Sequence, residues 1–530
     1  MRGLDQRLRL EAIGLGLLFL LAVLLTLRWT SGIGLVETDT FPLLAASRVD
    51  DLQDLLTIFA RDIFGLQGKG IFYRPVVNLT FALDQALWGL NPFGYQVTNA
   101  VLFALCGTGL AVLTRRLAGP RARVALWVVP IVFLLHPSHV EVVPGAPRRQ
   151  EMLCALFLML ALVSQLSWRG RPRARALAVT LLMCLAMASK EAAVLGPLLG
   201  FAVALGSEAH RSQRDRVWQA TKATVPYLVA VAAMIGVRFM VTGRLGGHLP
   251  IEVAAKVLEH LPVIGQWVLG RLLDPQRMTP RYGLPLALVC TAALAALVLA
   301  IPPRRATDGQ GRDEAGGSNP GRLALLGLVW VAGVIALYAL TSLVQPWHTL
   351  LPVVGWSLCW GALAEKAVAA VRAPGVRSRA AGAAGLLALA GIVVWEARDC
   401  PWFVDYPEYR RLTIMSGRYL SALQGRIDAT ANGETIYGGS LPFWMIPPSE
   451  NAATVFGATA LSRYSVAAWT RVMYPDRRIR VLPGPKGYDT SPPRPDEIVV
   501  LLARIPGQGP APKQKPPPSG VPGPPNFGTR

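Results

Sequence analysis

Long apolar runs constrain this chain more than any other feature. They recur through most of the first ~400 positions, each with roughly the 17–25 residues that a helix needs to cross a bilayer. Only 16% of the residues are charged, whereas soluble proteins carry about 25%. The first run, IGLGLLFLLAVLLTL at 13–27, follows Arg2, Arg7 and Arg9 and precedes no convincing cleavage site, which predicts a retained span. The sequence therefore predicts a polytopic membrane protein that is mainly α-helical.

Positive charge occurs in short clusters between the apolar runs. The formal net charge of +21 could suggest a nucleic-acid partner. The clusters, however, fall at every second connection, which is the pattern of cytoplasmic loops. They lie at 115–123, 169–175, 211–216, 304–305 and 366–379. Membrane topology explains this charge, so no nucleic-acid partner is predicted.

The apolar runs and the charge pattern together predict about eleven transmembrane helices and a cytoplasmic N-terminus. The predicted spans are 11–29, 97–114, 123–136, 150–167, 175–189, 191–206, 218–241, 283–301, 322–343, 348–365 and 380–397. They form a transmembrane domain over residues 1–397. Because their number is odd, everything after about residue 398 is predicted to lie on the outer face.

Three segments on the predicted outer face are long enough to carry function. The first loop, 30–95, spaces Leu52, Leu55, Leu56 and Phe59 on one helical face, which predicts an amphipathic helix on the membrane surface within 48–66. A second such helix is predicted at 251–273. The tail combines a helical stretch at 408–427 with the strand-like pieces ETIYGG, RIRVLP and EIVVLLARI. It predicts a small extracytoplasmic C-terminal α/β domain over 398–505, followed by a disordered Pro/Gly-rich segment over 506–530.

Ionisable residues at the predicted outer membrane edge are candidates for chemistry, because such groups are costly near lipid. Glu37 and Asp39 follow the first span, where a carboxylate can act as a general base or simply occupy an interfacial loop. Arg74, ahead of the second span, can hold a phosphate bidentately or extend to the membrane interface. Spacing alone leaves both alternatives open.

The motif HPSHVE after the third span adds His136, His139 and Glu141. Pro137 interrupts a regular helix face, and no third ligand follows at a metal-binding spacing. Hydrogen bonding at a polar site is therefore favoured over zinc.

Lys190, Glu191 and Arg238 complete the set. Lys190 and Glu191 interrupt an apolar run, where they either neutralise each other or leave the lysine to meet a lipid phosphate; Arg238 lies near the outer end of its span. In the predicted topology all these groups lie at the outer leaflet. Cations can stabilise a leaving phosphate and a carboxylate can accept a proton, so the set suits transfer from an anionic lipid head to a nucleophile.

Three segments, in this order, resemble a known family. They are FYRPVVNLTFALDQALWGLNPFGYQVTN at 72–99, HPSHVEVV at 136–143 and ASKEAAVLGPLL at 188–199. Together they resemble the type-C glycosyltransferase (GT-C) superfamily, and within it bacterial relatives of the transmembrane and tetratricopeptide-repeat O-mannosyltransferases, here without the repeats. The match covers about the first 240 residues well and most of the membrane region more weakly.

The resemblance implies a GT-C-like fold and a polytopic enzyme of the bacterial inner membrane. Such an enzyme moves a sugar, with mannose suggested, from a polyprenyl-phosphate donor to an extracytoplasmic glycan or protein hydroxyl, with inversion. Its catalytic acidic residue in the first outer loop corresponds to Asp39, with Glu37 as the alternative. The donor-phosphate positions correspond to Arg74, Lys190, Arg238 and His348, and the polar sugar or acceptor positions to Tyr73, Asn78, His136, His139, Glu141 and Glu191. Use of divalent cations varies across the superfamily, and no ligand set here requires one.

One departure from the family pattern affects this interpretation. Relatives tend to carry an Arg-Tyr pair where this chain has Trp347 and His348. The phosphate contact would then fall to His348 or Arg238, or activity would be altered. Two other functions stay open: a transporter or flippase for a lipid-linked glycan, which the absence of paired repeats disfavours, and a non-catalytic member acting in envelope assembly.

Overall fold

A computed structural model describes residues 2–65, 70–168, 170–207, 212–244, 319–339, 346–440, 461–483 and 493–503. The predicted span 283–301, the predicted surface helix 251–273 and the tail 506–530 lie outside these ranges. Within them the chain is mainly helical. The helices before the C-terminal region are α1 (Arg2–Thr30), α2 (Thr40–Ala46), α3 (Leu52–Thr57), α4 (Pro75–Trp88), α5 (Pro92–Ala118), α6 (Arg123–Leu135), α7 (Arg149–Ser167), α8 (Pro172–Met187), α9 (Gly196–Ser207), α10 (Gln213–Thr242), α11 (Pro320–Ala339), α12 (Leu350–Val371) and α13 (Val376–Arg398).

Among the described residues, six helical segments are long and apolar enough to cross a membrane. They are Arg9–Thr30, Pro92–Ala118, Ala146–Ser167, Gln213–Thr242, Pro320–Tyr338 and Val376–Arg398, with shorter apolar helices at Arg123–Leu135 and Glu191–Gly206. Each predicted span except 283–301 coincides with a helix. The chain is therefore a multi-pass membrane protein, as predicted, while the number of eleven spans stays a prediction.

Local signals explain where several of these helices begin. Asn91 accepts a hydrogen bond from the Phe93 amide at 3.1 Å, and Pro92 occupies the first turn of α5. Helix α6 uses a distant residue instead: one carboxylate oxygen of Glu365 accepts from the amides of Val124 and Ala125 at 2.8 and 3.0 Å. An acceptor at this end satisfies amides that have no partner within the helix.

Small residues allow α11 and α12 to approach closely. A Cβ atom built on Gly327 would lie 2.6 Å from the Gly355 carbonyl oxygen, and one built on Gly355 would lie 2.7 Å from the Gly327 carbonyl oxygen. Lipid provides no hydrophobic force between helices, so close backbone packing of this kind supplies much of their attraction.

The first loop is folded and contains α2, α3 and α4. Helix α3 is shorter than the predicted surface helix and continues as a 3₁₀ turn at Ile58–Ala60. Leu52, Leu56 and Phe59 are 70%, 62% and 44% exposed. This exposed apolar face agrees with a position on lipid, which stays a prediction.

The C-terminal region contains the predicted helix and strands. They are α14 (Pro407–Asp428), β1 (Thr435–Ser440), α15 (Arg463–Met473), β2 (Arg478–Pro483) and β3 (Glu497–Ala503), of which α15 was not predicted from the sequence. The sheet has the order β1-β3-β2, and β3 runs parallel to both neighbours. In its register Val500 lies opposite Ile436 on one side and Val481 on the other.

This region shares a hydrophobic core with the first loop. The core contains Leu43 and Leu44 from α2, Val466 and Trp469 from α15, and Val500 from β3, all buried. The shared core fixes the C-terminal region against the segment that carries Glu37 and Asp39. That residues 398–505 form a domain of their own stays a prediction.

Candidate active site

Glu37 lies in the short connection between α1 and α2 and is buried. Its carboxylate forms an ion pair with Arg148, with 3.0 Å between Oε1 and Nε. It also accepts a hydrogen bond from the Tyr409 hydroxyl at 3.2 Å. Burial raises the pKa of Glu37, and the charge of Arg148 opposes this rise. Glu37 is thus a paired carboxyl group in a protein environment, not a solvated loop residue.

Asp39 stands two residues further on, immediately before α2, and makes no capping hydrogen bond to that helix. Its Oδ1 accepts a hydrogen bond from the Tyr464 hydroxyl at 2.5 Å. The residue keeps an exposed edge, yet the surrounding protein is dense enough for burial to raise its pKa. The Tyr464 hydrogen bond and the charges of Arg148 and Arg74 act in the opposite direction. Both predicted carboxylates therefore lie within electrostatic reach of the same arginine.

A second group joins Arg74 and Arg238 through one carboxylate. Arg74 contacts Glu191 Oε2 through Nε at 3.0 Å and Nη2 at 2.6 Å, and its Nη1 donates to Gln150 Oε1 at 2.5 Å. Arg238 Nη1 lies 2.5 Å from Glu191 Oε1. Two cations here share one anion, which leaves one positive charge in excess when all three are ionised. A net positive group suits an anionic ligand.

Lys190 and His348 meet around an aromatic ring. Lys190 forms an ion pair with Glu151, and its Nζ lies 6.0 Å from the centre of the Tyr338 ring. The Tyr338 ring stacks on His348, with ring centres 4.8 Å apart. The structure thus brings two of the predicted donor-phosphate residues to the same ring.

Trp347, which marks the departure from the family pattern, contacts the carboxylate group. The Arg148 guanidinium lies 3.8 Å from the centre of the Trp347 ring, and Arg148 pairs with Glu37. A cation over an indole face is attracted by the ring quadrupole. Trp347 therefore helps to orient the arginine that faces both Glu37 and Asp39.

The HPSHVE motif occupies an apolar site. His139 packs against Phe103 and Phe133 at 4.7 and 4.9 Å between ring centres, and its Nε2 lies 2.5 Å from the Phe133 carbonyl oxygen. Burial, reinforced by His136, lowers the pKa of His139 to about 3. His136 Nδ1 lies 2.8 Å from the Ser138 hydroxyl. These contacts favour a structural role for both rings, while the side chain of Glu141 lies outside what the structure describes.

Tyr73 and Asn78 tie parts of the first loop together. The Tyr73 hydroxyl donates to the Phe59 carbonyl at 3.1 Å. The Asn78 amide donates to Ser47 Oγ at 3.0 Å and to the Ile63 carbonyl at 2.9 Å. Both side chains are buried, and their contacts favour loop support over direct sugar binding.

Two arginines and two tyrosines that pair with carboxylates were not predicted from the sequence. Arg148 and Arg149 stand together at the predicted outer end of a span, where the charge rule disfavours cations, and that conflict was the available signal. Arg148 pairs with Glu37, and Arg149 lies 2.6 Å from Asp84. Tyr409 and Tyr464 carried no signal, because they reach the carboxylates across 372 and 425 residues of chain. Among the described residues, no group of three or more His, Cys, Asp or Glu could hold a metal ion.

No protein-family model matches the chain. In sequence it is 28% identical over 193 residues to protein O-mannosyl-transferase Tmtc1 of Drosophila melanogaster, covering 36% of this chain and 22% of that protein. It is 34% identical over 124 residues to protein O-mannosyl-transferase TMTC2 of Mus musculus, covering 21% of this chain and 14% of that protein. The chain thus aligns with less than a quarter of the length of either relative.

Among solved structures, the chain matches ArnT of Cupriavidus metallidurans bound to undecaprenyl phosphate with a TM-score of 0.44 and 14% identity, covering 82% of this chain and 83% of that one. It matches the Archaeoglobus fulgidus oligosaccharyltransferase with a TM-score of 0.43 and 11% identity, covering 86% and 63%. The sequence similarities confirm the resemblance predicted from the motifs: the chain is a multi-pass membrane protein similar, over the part that aligns, to the transmembrane and tetratricopeptide-repeat protein O-mannosyl-transferases.

Proposed function

We propose that this chain is an inverting membrane glycosyltransferase of the GT-C type that moves a sugar from a polyprenyl phosphate to an acceptor hydroxyl. The observation that carries the proposal is that Glu37 pairs with Arg148, while Asp39, two residues further on, feels the positive charge of both Arg148 and Arg74. Because the relatives are named protein O-mannosyl-transferases, the sugar we propose is mannose. The acceptor is a protein or glycan that carries a free hydroxyl.

In the proposed reaction Asp39 acts as the general base. Its carboxylate takes the proton of the acceptor hydroxyl while the acceptor oxygen forms a bond to the anomeric carbon. The bond from that carbon to the phosphate oxygen breaks, and its electron pair leaves with the polyprenyl phosphate. Attack opposite to the leaving group inverts the configuration at the anomeric carbon. The raised pKa of Asp39 suits this role, because a base works best when its pKa approaches the working pH.

The cations are proposed to hold the lipid phosphate before and after transfer. Arg74 and Arg238 share Glu191 and retain an excess positive charge. Lys190 and His348 meet at the Tyr338 ring, and we assign them to the same phosphate. Cations placed where negative charge develops on the leaving oxygen stabilise the transition state more than the ground state.

We propose that the site faces the outside of a bacterial inner membrane. Asp39 follows the first span and Tyr464 follows the last, and their hydrogen bond supports their lying on the same side of the membrane. Two loops on one side need an even number of crossings between them, which agrees with an odd total. With the predicted cytoplasmic N-terminus, that side is the outer one. Alkaline phosphatase fused after residue 530 should be active, and a fluorescent protein there should be dark.

Transfer is tested with membranes from cells that lack the endogenous gene and express single variants. Undecaprenyl-phosphate mannose with a radioactive sugar is the donor, and label is counted in the protein and glycan fractions. We expect Asp39→Asn to reduce transfer by 10²-fold or more, since general-base catalysis contributes about 10²–10⁴-fold. Asp50→Asn is the matched control, because Asp50 lies in the same loop and pairs on the surface with Arg48.

Glu37→Gln separates the two carboxylates. If Glu37 rather than Asp39 is the base, the two variants exchange their effects. Transfer at the level of the Asp50→Asn control in both variants would refute the proposed base. No transfer by the unmodified chain, with intact binding of the lipid, would instead favour the non-catalytic alternative.

A further inference from the structure

We propose that Tyr464 of the C-terminal region is a positioning residue for Asp39, so that the C-terminal region is part of the active site. Its hydroxyl holds Oδ1 of Asp39 and leaves Oδ2 to receive the acceptor proton. This inference rests on the proposed role of Asp39 as the base. It also assigns a specific task to the C-terminal region.

Two adjacent residues of α15 donate hydrogen bonds to two adjacent residues of the first loop. The Tyr464 hydroxyl donates to Asp39 Oδ1 at 2.5 Å, and the Ser465 hydroxyl donates to the Thr38 carbonyl at 2.6 Å. Asp39 makes no hydrogen bond of its own to the start of α2. The orientation of the carboxylate is therefore set from outside the loop, by α15.

The helix that carries Tyr464 is firmly anchored, while the Tyr464 ring stays accessible. Ser462 and Ser465 form a reciprocal capping box at the start of α15, and Val466 and Trp469 on the same helix are buried in the shared core. Tyr464 itself is 45% exposed. An acceptor approaching Asp39 from solvent would therefore pass this ring.

The groups that face Asp39 come from four elements. Glu37 precedes it in the same connection, Arg148 and Arg74 contribute positive charge from the starts of α7 and α4, and Tyr464 comes from α15. Burial raises the pKa of Asp39, and the Tyr464 hydrogen bond is the largest effect that lowers it. Removing this hydroxyl should raise the pKa of Asp39 by about one to two units, because the ionised carboxylate loses a hydrogen bond that the protonated form needs less.

Carbodiimide labelling measures this change without using activity. The reagent modifies protonated carboxyl groups, so the labelled fraction at position 39, resolved from position 37 by mass spectrometry, falls as pH rises through the pKa of Asp39. In the full-length protein in detergent, Tyr464→Phe should move the midpoint upward by about one to two pH units. Tyr474→Phe is the matched control, because the Tyr474 hydroxyl makes an equivalent hydrogen bond to Asp428 at 2.7 Å away from the site. It should leave the midpoint at position 39 unchanged.

A second substitution covers the case in which the phenylalanine variant fails to fold. Replacing Tyr464 with 3,5-difluorotyrosine keeps the shape and strengthens the donor, so the midpoint should move downward. A merely structural role would move neither midpoint. Equal midpoints in the unmodified, Tyr464→Phe and difluorotyrosine proteins would overturn the inference.

The transfer assay separates this inference from the proposed function. If Asp39→Asn retains transfer while Tyr464→Phe shifts labelling, the hydrogen bond acts as inferred but Asp39 is not the base, and the positioning role in catalysis is overturned. If Asp39→Asn abolishes transfer and Tyr464→Phe moves the acid limb of the rate to higher pH, both hold. Loss of transfer in Asp39→Asn without any pH shift in Tyr464→Phe overturns the inference alone.

Discussion

Arg148 and Arg149 are adjacent, both buried and both paired with a carboxylate, yet their pairs should respond differently to mutation. Arg149 Nη1 lies 2.6 Å from Asp84 Oδ2, and the guanidinium also lies 4.5 Å from the centre of the Phe81 ring. Arg148 Nε lies 3.0 Å from Glu37 Oε1. Asp84→Asn leaves the buried Arg149 without its carboxylate, whereas Arg148→Met leaves the buried Glu37 without its arginine.

The two variants should differ in how their loss of stability depends on pH, because the buried glutamate left unpaired can become neutral and the arginine cannot. A guanidinium stays charged at every accessible pH, so Asp84→Asn should destabilise the protein by about 3–5 kcal/mol, with the same loss at pH 5.5 and pH 8. Glu37 can take up a proton. In Arg148→Met its pKa in the folded protein rises further above the unfolded value, because the opposing charge is gone.

A carboxyl group whose folded pKa is raised is least costly below its unfolded pKa, and its cost grows as pH rises towards the folded pKa. Arg148→Met should therefore be mildly destabilising at pH 5.5. It should lose up to about 1.4 kcal/mol more for each pH unit until Glu37 ionises in the folded state.

Unfolding in mixed micelles of increasing SDS content, followed by tryptophan fluorescence at both pH values, measures these losses. Replacing both members of the Arg149–Asp84 pair by leucine should recover most of the stability lost in Asp84→Asn, because an apolar pair leaves no buried charge. The reasoning is refuted if the loss in Arg148→Met is the same at both pH values, or if the double variant is no more stable than Asp84→Asn.

Two further predictions concern helix packing and capping. Gly355→Val should force α11 and α12 apart, because a Cβ at that position already lies within 2.9 Å of Trp330 Cβ; a lower unfolding midpoint in SDS than that of Gly391→Val, where a Cβ meets nothing within 4 Å, checks this. Glu365→Gln should cost about 1 kcal/mol by weakening the acceptor for two amides of α6. Arg372 is exposed directly after the end of α12, the helix that carries Glu365. Arg372→Gln should therefore cost less stability than Glu365→Gln, and an equal loss in both would contradict the capping role.

Local patterns predicted much of the fold. Apolar length located the long apolar helices that the structure describes, and strand-like pieces located the three described strands of the C-terminal sheet, since both signals are local in the chain. The short helix α2 and the helix α4 were not predicted. Helix α15 was missed because the preceding residues gave no clear boundary. The length of the surface helix predicted within 48–66 was overestimated, because the α-helix there covers only Leu52–Thr57 and continues as a 3₁₀ turn at Ile58–Ala60.

The site was predictable as a set of charges but not as a set of pairs. The predicted topology singled out Glu37, Asp39 and Arg74 as candidates at one membrane edge. It could not reveal that Tyr464 or Tyr409 complete the carboxylate group, because contacts across 425 and 372 residues depend on how the C-terminal region packs. Glu191 was predicted as a polar contact, and in the structure it is the anion shared by Arg74 and Arg238.

The central claim is that the group of Arg74, Arg238 and Glu191 receives a polyprenyl phosphate. Lipid binding tests this claim most directly. Purified protein in nanodiscs is titrated with undecaprenyl phosphate, and bound lipid is quantified by native mass spectrometry. Arg74→Gln and Arg238→Gln each leave Glu191 with one cation and remove the excess positive charge. Each should weaken binding about 10- to 100-fold, since a charge-assisted hydrogen bond contributes about 1.5–3 kcal/mol. Arg48→Gln, at the exposed Arg48–Asp50 pair, should bind like the unmodified protein. Equal affinity in all four proteins would contradict the account.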